Sequence, residues 1–359
     1  MMESIRFSIA GAGWRAHFFA KIAKALPHKF CLAGIWARDQ QKAQALAEQY
    51  GVKAYSDINE LIVDKPDFVV TSLSWEPLFE YNKLFLQKGV PVLSETPPAP
   101  NVDKLCELWA QAQKSKTKIL VAEQYFLQPQ FSAILNVIKQ GYLGQVHNVN
   151  LSFCHGYHSI SLLRKFLKVP VGKVKMTAKA YEFPVLETAG RNCDIVDGEI
   201  KNNRHEYVFF EFENGKVGVH NFSGVQYHSW IRGRRINLQG THGEIIDNTV
   251  RFMAQAKDPA KIDLLRIECG GQGDNDGKFL RSIMFGEKVV YQNPYTPAPL
   301  ADDEIAVAHC MEMMADYLNG AVPDYTFADA LEDSYLSFVM SDLLKDNGTR
   351  ETEIMPWHG

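Results

Sequence analysis

The feature that most constrains this chain is a glycine-rich turn between an apolar run and a helix-forming segment near its start. Residues 6–10 form the apolar run, and Gly11, Gly13 and Ala16 follow with the spacing G-x-G-x-x-A. In this motif the first glycine permits a tight turn, the second lets the backbone approach a pyrophosphate, and a small third residue keeps the helix close to the strand. The free N–H groups at the start of the helix would bind the phosphates. The motif therefore predicts a dinucleotide-binding βαβ unit.

The residues after the turn alternate between strand and helix patterns as far as residue 125. Short apolar runs predict strands, and longer periodic segments between them predict helices. The predicted strands are 6–10, 31–36, 52–55, 68–71, 90–94 and 119–122, and the predicted helices include 40–47, 80–87 and 105–112. Such alternation indicates an α/β fold, with a doubly wound parallel (Rossmann) sheet over residues 1–125. An α/β domain whose first loop is glycine-rich by chance is the alternative.

The pattern changes in residues 126–359, where strands dominate. Helices are predicted at 131–140 and 159–167, strands at 147–153, 174–181, 206–213, 216–223, 234–240 and 243–248, and closing helices at 304–318 and 328–344. Asn214-Gly215 between two of these strands is a strong hairpin signal. The run of strands predicts an α+β domain on a largely antiparallel sheet. We expect this domain to bind substrate and to form oligomers, with its last helices packing back on the Rossmann domain.

Composition and charge narrow the classes of function. The chain has 359 residues, enough for two domains, and a formal net charge of -4, so it lacks the basic character of nucleic-acid-binding proteins. No segment has the pattern of a signal peptide or a membrane span, and we expect a cytoplasmic protein with no nucleic-acid or membrane partner. The six cysteines form no C-x-x-C pair. Cys31, in an apolar strand, and Cys106, in a helix, indicate reduced core thiols.

Several segments together resemble a known family. They are 11–13, 38–39 with 43, 47 and 50–52, 89–97, 141–146, 156–158 with 162–163, 238–243 and 327–331. In these segments the chain is similar to the glucose–fructose oxidoreductase, inositol dehydrogenase and rhizopine-catabolism (Gfo/Idh/MocA) family of NAD(P)-dependent oxidoreductases. The resemblance implies a nicotinamide cofactor and hydride transfer to or from a carbohydrate, polyol or related carbonyl compound. It also implies a homo-oligomer formed through the C-terminal sheet.

The chain departs from this family at the position of the usual active-site lysine. The family has Glu-Lys-Pro after its fifth strand, and the lysine helps to move a proton, whereas this chain has Glu95-Thr96-Pro97. Threonine carries no cationic charge, and its hydroxyl is far too weak an acid for proton transfer at neutral pH. Thr96 could still hydrogen-bond a substrate hydroxyl or the cofactor amide. Similar proteins such as biliverdin reductases also lack the lysine and still reduce their substrate.

A second departure lies beside the expected catalytic histidine. The family often has an aspartate four residues before this histidine; His158 matches the histidine, and Cys154 replaces the aspartate. His158 is the strongest remaining proton-transfer candidate because imidazole titrates near physiological pH, and His155 and Thr96 are weaker catalytic candidates. A histidine that merely caps or packs against the helix start is the alternative. Zinc prefers the thiolate and imidazole ligands found here, but no fourth ligand is visible nearby, so we expect no metal.

The end of the second strand bears on the choice between NAD and NADP. NAD-preferring sites usually have an acidic residue there that hydrogen-bonds the ribose, whereas this chain has Ala37 followed by Arg38. A guanidinium favours the 2′-phosphate of NADP, although Arg38 could also stack over the adenine. Asp39 could reach back to the ribose, but it fits a helix N-cap better. Arg15 is a second candidate phosphate partner, unless it is simply exposed. The sequence thus favours NADP while leaving NAD open.

The remaining candidate cofactor residues lie in the glycine turn and at strand ends, where ligands bind in doubly wound sheets. They are Trp14, Thr71, Ser72, Ser74, Trp75, Glu95, Thr96 and Gln124. Trp75 could stack on the nicotinamide or fill core space, and Glu95 is expected to orient the cofactor. The aromatic and basic stretch 227–235 fits an oligomer interface or a carbohydrate platform, because Trp and Tyr rings stack on sugars and anchor interfaces.

Three classes of function remain. The favoured one is an NAD(P)-dependent oxidoreductase in which His158 handles the hydroxyl proton of a small, carbohydrate-like substrate. The second is a cofactor-binding sensor without chemistry, similar to the galactose-pathway co-repressors of the same family, and the missing lysine and aspartate support it. The third, a scaffold that binds no nucleotide, conflicts with the intact glycine turn. No feature of the sequence names the substrate.

Overall fold

A parallel six-stranded sheet forms the first part of the computed structural model, which describes residues 4–270 and 278–359. Its strands are β1 (Ile5–Ala10), β2 (Phe30–Trp36), β3 (Lys53–Ala54), β4 (Phe68–Thr71), β5 (Val92–Ser94) and β6 (Ile119–Val121). They are arranged in the order β3-β2-β1-β4-β5-β6, which is that of a doubly wound nucleotide-binding sheet. The helices are α1 (Trp14–Ala25), α2 (Gln40–Tyr50), α3 (Ile58–Val63), α4 (Trp75–Gln87) and α5 (Val102–Ser115). The predicted Rossmann sheet is confirmed.

The glycine turn brings the end of β1 against the loop that follows β4. Gly11 has a φ of +138°, and a Cβ at this position would lie 2.0 Å from the carbonyl oxygen of Ser72. Because a side chain is excluded by both the conformation and the close approach, glycine is required here. Ala16 is fully buried in α1, where its small side chain lets the helix pack closely on the sheet. Gly11 thus sets the backbone conformation of the turn, and Ala16 sets how closely α1 packs on the sheet.

Eleven strands form a mostly antiparallel sheet in the second domain. They are β7 (Val146–Ser152), β8 (Val174–Leu186), β9 (Ile200–Phe212), β10 (Val217–Phe222), β11 (Arg235–Gly240), β12 (Gly243–Ile246), β13 (Thr249–Gln255), β14 (Asp258–Gly270), β15 (Lys278–Phe285), β16 (Lys288–Gln292) and β17 (Thr349–Glu351). The order is β16-β15-β14-β13-β12-β11-β7-β10-β9-β8-β17, with β7 and β10 parallel and the other neighbours antiparallel. The predicted α+β class is confirmed.

Four helices complete the second domain and connect it to the first. They are α6 (Pro129–Lys139), α7 (Gly156–Leu167), α8 (Asp302–Leu318) and α9 (Phe327–Asp346). Helix α8 packs on α1, with an ion pair of 2.5 Å from Lys21 of α1 to Glu304, and Lys29, just before β2, pairs with Glu312 of α8 at 2.5 Å. Helix α9 contacts α5 and β6 on one side and α7 and β8 on the other. These two helices therefore hold the two sheets on either side of a shared cleft.

The structure extends the predicted elements in several places. Helix α4 begins at Trp75 rather than Glu80, and α7 begins at Gly156 rather than Ser159; neither helix has a side-chain cap to mark its start. Pro77 lies in the first turn of α4, where a missing N–H is tolerated. Strands β13 to β16 were not predicted, because residues such as those of β14 are largely exposed and alternate weakly between apolar and polar.

The cysteines differ in their exposure to solvent. Cys31 is exposed, so the prediction of a core position for it is wrong, whereas Cys154 and Cys310 are buried and all six cysteines are free thiols. Within residues 4–270 and 278–359, no helix is both long and apolar enough to cross a membrane.

The paired strands β8 and β9 expose aromatic side chains on the open face of the second sheet. Tyr181 and Phe183 on β8 and Phe209 on β9 are each more than two-fifths exposed. Exposed aromatic groups on a sheet face are typical of protein interfaces. The homo-oligomer stays a prediction, and this face is where we expect it to form.

Candidate active site

A deep cleft of about 2240 Å³ lies between the carboxyl ends of the parallel strands and the second domain. Its walls come from the glycine turn, the loops after β2, β4, β5 and β6, the start of α7, and α9. Ligands bind at this edge of doubly wound sheets, which makes the cleft the candidate active site. The predicted site residues that line it are Gly13, Trp14, Arg15, Ala37, Arg38, Ser72, Ser74, Trp75, Glu95, Thr96, Gln124, His155 and His158.

The glycine-turn end of the cleft fits a dinucleotide. A Cβ placed on Gly13 would meet no atom within 4 Å, so open space lies directly before the first turn of α1. The side chain of Trp14, the first residue of α1, is 60% exposed and also lines the cleft. An anion before α1 would meet the N–H groups of the helix start. The residues present therefore suit an NAD(P) pyrophosphate.

The end of β2 offers a cation for the adenosine half of such a ligand. Arg38 is exposed at the cleft wall, and within the described parts of the chain it forms no ion pair. Asp39 is engaged elsewhere, because its carboxylate accepts a hydrogen bond of 3.2 Å from the N–H of Lys42 as the N-cap of α2. The cap that the sequence suggested for Asp39 is therefore present. Asp39 and Lys42 also line the cleft but pair with each other, whereas Arg38 forms no ion pair with the described residues.

Arg15 lies in the cleft wall but is neutralised by two carboxylates. Its guanidinium donates to Glu95 at 2.9 Å and to Asp303 of α8 at 2.7 Å. Burial alone would lower the pKa of Arg15, but these two carboxylates outweigh it and raise the pKa above its ordinary value. The expected phosphate partner is thus part of an ion-paired cluster that joins the two domains, and Glu95 is held by the same cluster.

Three predicted cofactor residues do not line the cleft: Gly11 and Ala16, which lie behind the glycine turn, and Thr71. Thr71, at the end of β4, is fully buried, and its hydroxyl donates to the side chain of Asn82 at 2.6 Å. The structure therefore does not support a cofactor contact by this hydroxyl. The reason is strand alternation, since Thr71 points into the layer of helices while the next residues, Ser72 and Ser74, reach the cleft.

His158 and a buried glutamate form a pair at the other end of the cleft. Nδ1 of His158 lies 2.6 Å from Oε2 of Glu123, which follows β6 and is fully buried. The other oxygen of Glu123 accepts from the hydroxyl of Ser161 at 2.8 Å and from the N–H of Tyr125 at 3.2 Å. With three donors around it, the carboxylate is well satisfied without solvent.

This pairing fixes the protonation pattern of the imidazole. A carboxylate can only accept, so Nδ1 of His158 carries the hydrogen and Nε2 is left with its lone pair. Nε2 makes no hydrogen bond to the described residues, and the residue lines the cleft while being 8% exposed. The ring of Tyr125 stacks on the imidazole at 4.3 Å between centroids. The result is a rigidly held proton acceptor facing the cleft.

His155 has a different environment, although it lies only one helical turn away. Its Nδ1 is 2.6 Å from the hydroxyl of Tyr227, and its ring is 4.9 Å from that of His158. Although the side chain borders the cleft, the surrounding protein and the neighbouring imidazoles of His158 and His220 lower the pKa of His155 to about 4. An imidazole with this pKa is uncharged at neutral pH and cannot donate a proton there.

The cysteine at the position of the family's aspartate is not a substitute for it. Cys154 is fully buried, and burial raises the pKa of its thiol well above the usual value, with the charge of Glu123 adding to the effect. A neutral, buried thiol is neither a zinc ligand nor a proton carrier. Among the residues that the structure describes, no group of three or more His, Cys, Asp or Glu side chains could hold a metal ion.

Glu123 was not among the candidate site residues of the sequence analysis, whereas the structure places it against the imidazole of His158. The available signal was a carboxylate directly after the apolar run 119–122, a position that is buried in a parallel sheet and therefore needs a partner. The identity of that partner depends on the packing of the second domain.

Comparisons with known proteins agree with this architecture. The model of the Gfo/Idh/MocA family, described as an oxidoreductase family with an NAD-binding Rossmann fold, matches residues 5–123. The trans-1,2-dihydrobenzene-1,2-diol dehydrogenase of Mus musculus is 26% identical over 153 residues, which are 42% of this chain and 46% of that protein. The matched segment therefore spans less than half of the curated relative.

Solved structures share the whole fold. Levoglucosan dehydrogenase in complex with NADH and levoglucosan has a TM-score of 0.70 at 13% identity, with 98% of this chain and 100% of that chain covered. An NAD binding oxidoreductase from Klebsiella pneumoniae has a TM-score of 0.69 at 17% identity, with the same coverage of 98% and 100%. At such low identities the likeness shows the arrangement of both domains and nothing finer.

Proposed function

We propose that the protein, whose residues 5–123 match the model of the Gfo/Idh/MocA oxidoreductase family, is an NAD(P)-dependent dehydrogenase or reductase of a carbohydrate, polyol or related carbonyl compound. The observation that carries this proposal is the position of His158, which is held by Glu123 and lines the same cleft as the glycine turn. The names of two similar proteins, a levoglucosan dehydrogenase and a dihydrobenzenediol dehydrogenase, support a hydroxyl-bearing carbon as the reacting centre.

The chain's own part in the reaction is the movement of a proton. A bound nicotinamide supplies the acceptor or donor of hydride. When a carbinol is oxidised, its hydroxyl proton passes to Nε2 of His158, and the carbon that loses hydride becomes a carbonyl carbon. In the reverse direction, the imidazolium returns the proton to the carbonyl oxygen. The carboxylate of Glu123 orients the ring and stabilises the imidazolium. Thr96 lines the cleft, and its hydroxyl is proposed to hydrogen-bond the substrate.

A substrate screen tests this proposal. The purified protein is incubated with NAD, NADP and their reduced forms and with sugars, polyols and the corresponding carbonyl compounds, and nicotinamide absorbance is followed. A change that depends on both cofactor and substrate is expected for at least one compound. Because the panel covers both directions of reaction, the absence of any change would contradict the proposal.

A sensor without chemistry is the second candidate function. Thr96, which stands where the family has its lysine, favours it. The ordered pair of His158 and Glu123 argues against it, because a sensor has no need of a satisfied proton acceptor that faces the cleft. Tight NAD(P) binding without turnover of any compound in the screen would favour the sensor.

Arg38 is expected to make the protein prefer NADP over NAD. An unpaired guanidinium at the end of β2 can bind a 2′-phosphate, and a charge-assisted hydrogen bond of this kind contributes about 1.5–3 kcal/mol. In Arg38→Ala the ratio of the NAD and NADP dissociation constants should therefore shift by about 10- to 100-fold towards NAD. Calorimetry with both cofactors measures this, and Lys53→Ala, which removes a charge from the neighbouring strand outside the cleft lining, serves as the control. An unchanged ratio in Arg38→Ala would show that another group reads the phosphate.

Glu123 is expected to act as a positioning residue for His158. In Glu123→Gln the N–H of Tyr125 and the hydroxyl of Ser161 hold the amide oxygen, so the amide nitrogen faces Nδ1 of His158. The imidazole then carries its hydrogen on Nε2 and cannot accept the substrate proton, and kcat should fall about 10- to 100-fold.

The dissociation constant of NAD(P) should stay unchanged in Glu123→Gln, because Glu123 lies behind His158 and outside the cleft lining. Glu123→Asp keeps an acceptor and should recover part of the rate. A purely structural function would instead lower the melting temperature and leave kcat per folded molecule at the parent value.

A further inference from the structure

Most cationic side chains in the His158 half of the cleft are neutralised by neighbouring carboxylates. Arg204 lies 3.2 Å from Glu206, and Lys345 lies 2.8 Å from Asp342. Arg234 lines the same half of the cleft and, within residues 4–270 and 278–359, has no carboxylate within 4 Å. Arg191 also lacks an ion pair with the described residues, but it lies over Trp14 at the glycine turn. Arg234 is therefore an uncompensated cation in the cleft, and it contacts Tyr227, the hydrogen-bond partner of His155.

The position of Arg234 is fixed by its surroundings. Its guanidinium carbon lies 5.1 Å from the ring centroids of both Phe153 and Tyr227, which is the distance of a cation–π contact. The preceding carbonyl, that of Gly233, accepts a 2.8 Å hydrogen bond from the buried Gln226. The next residue begins β11, so the backbone is held on both sides. A guanidinium stacked on aromatic rings keeps its N–H edges available for a ligand.

Arg234 belongs to the same wall of the cleft as the proposed proton acceptor. It contacts Tyr227, whose hydroxyl accepts a 2.9 Å hydrogen bond from the N–H of His155. The His155 ring in turn packs 4.9 Å from the ring of His158. A continuous series of contacts thus connects the guanidinium of Arg234 with the imidazole of His158. Both Arg234 and His158 line the cleft, so one bound ligand has access to the two groups.

From this arrangement, and resting on the proposed function, we propose that the substrate is an acidic polyol or sugar acid whose carboxylate is bound by Arg234 while a neighbouring hydroxyl faces His158. The planar fork of arginine matches a carboxylate with two parallel hydrogen bonds. A phosphate monoester carries up to two negative charges, whereas Arg234 offers a single guanidinium, so the match in charge is better for a carboxylate. For the stretch 227–235, where the sequence predicts an oligomer interface or a carbohydrate platform, this proposal favours a function in substrate specificity.

Binding of matched ligands to the protein saturated with reduced cofactor tests the proposal. The probes are galactose, galacturonate and galactose 6-phosphate, and the corresponding series from glucose, with calorimetry as the readout. The uronates are expected to bind at least about tenfold more tightly than the neutral sugars, as one charge-assisted contact predicts. Equal binding of acid and neutral sugar, tighter binding of the phosphates, or no binding of any probe would overturn the assignment.

Variants of two neighbouring arginines identify the group that is responsible for the preference for uronates. Arg234→Met keeps a stem that packs on the rings and should remove the preference for uronates, with neutral-sugar and cofactor affinities within about twofold of the parent. Arg232→Met removes the same charge from an exposed position of the loop outside the cleft lining and should leave the preference intact. An equal loss in both variants would mean that the effect is one of overall charge, and would overturn the proposal.

Turnover separates this inference from the proposed function. Oxidation of neutral sugars by a protein that shows no preference for uronates, with Arg234→Met changing neither reaction, would leave the dehydrogenase in place and overturn the carboxylate assignment. Binding of uronates that depends on Arg234, without any change in nicotinamide absorbance, would support the carboxylate site and contradict the proposed dehydrogenase.

Discussion

Replacing His158 with alanine is expected to lower turnover by about 10²–10⁴-fold, the usual contribution of a single general acid–base group. The imidazole is the proton acceptor that Glu123 orients towards the cleft, and Thr96 cannot replace it. The loss should appear in kcat, because His158 lies at the opposite end of the cleft from the glycine turn. NAD(P) affinity, measured by calorimetry, should equal that of the parent.

Two further variants make this result interpretable. His158→Ala leaves the buried carboxylate of Glu123 with fewer donors, which costs stability. His158→Asn can still donate from its amide to Glu123 but cannot accept a substrate proton, so it should fold like the parent and be as inactive as His158→Ala.

His155→Ala is the matched control for a neighbouring imidazole. Because the pKa of His155 is lowered to about 4, the group is uncharged from about pH 5 upwards and should contribute no limb to the pH profile in that range. Turnover within about tenfold of the parent is expected. A His158→Asn variant that keeps near-parental turnover, or a larger loss in His155→Ala than in His158→Ala, would contradict the assignment.

The parts of the site that follow from local sequence were predictable. Gly11, Gly13 and Ala16 are set by the geometry of one strand–turn–helix unit, and Arg38 follows from its place at the end of the second strand. His158 was identified by resemblance, and the structure places it in the cleft with its acceptor nitrogen free of described partners. Short motifs fix such positions because both the backbone and the ligand contact lie within a few residues of each other.

The parts that depend on distant contacts were not predictable. Arg15 was expected to face a phosphate, but its partner Asp303 lies 288 residues further along the chain and enters through α8. Likewise, Glu123 meets His158 only because the end of β6 is packed against the start of α7. A single sequence contains no information on which of its many carboxylates will approach a given cation, since that is decided by the packing of the two domains.

The absence of one motif residue does not by itself mean that a function is lost, as a comparison of Cys154 and Glu123 shows. Cys154 occupies the position of the family's aspartate and is buried as a neutral thiol. A carboxylate nevertheless reaches the same imidazole from a different element, with its oxygens satisfied by Ser161 and Tyr125. Proton transfer by a histidine requires an oriented imidazole with a nearby negative charge. In this fold the negative charge comes from Glu123, after β6, and not from the residue before α7 that matches the family's aspartate.

Replacing Gly13 with valine is expected to abolish cofactor binding without unfolding the protein. A Cβ at Gly13 meets no atom within 4 Å, and the residue has a φ of -84° that any amino acid adopts. The side chain would therefore project into the open space before α1 and keep the pyrophosphate from the helix N–H groups. Losing two charge-assisted hydrogen bonds of about 1.5–3 kcal/mol each weakens binding by more than about 100-fold.

Gly11→Val is the matched comparison for Gly13→Val, because it makes the same change two residues away. Its Cβ would collide with the carbonyl oxygen of Ser72 at 2.0 Å, and its φ of +138° disfavours a side chain, so this variant should lose thermal stability outright. Gly13→Val should melt like the parent, and Gly13→Ala should bind with intermediate affinity. Calorimetry with NAD and NADP, read beside melting curves, separates the two glycines. If folded Gly13→Val binds either cofactor with parental affinity, the pyrophosphate does not lie at the start of α1.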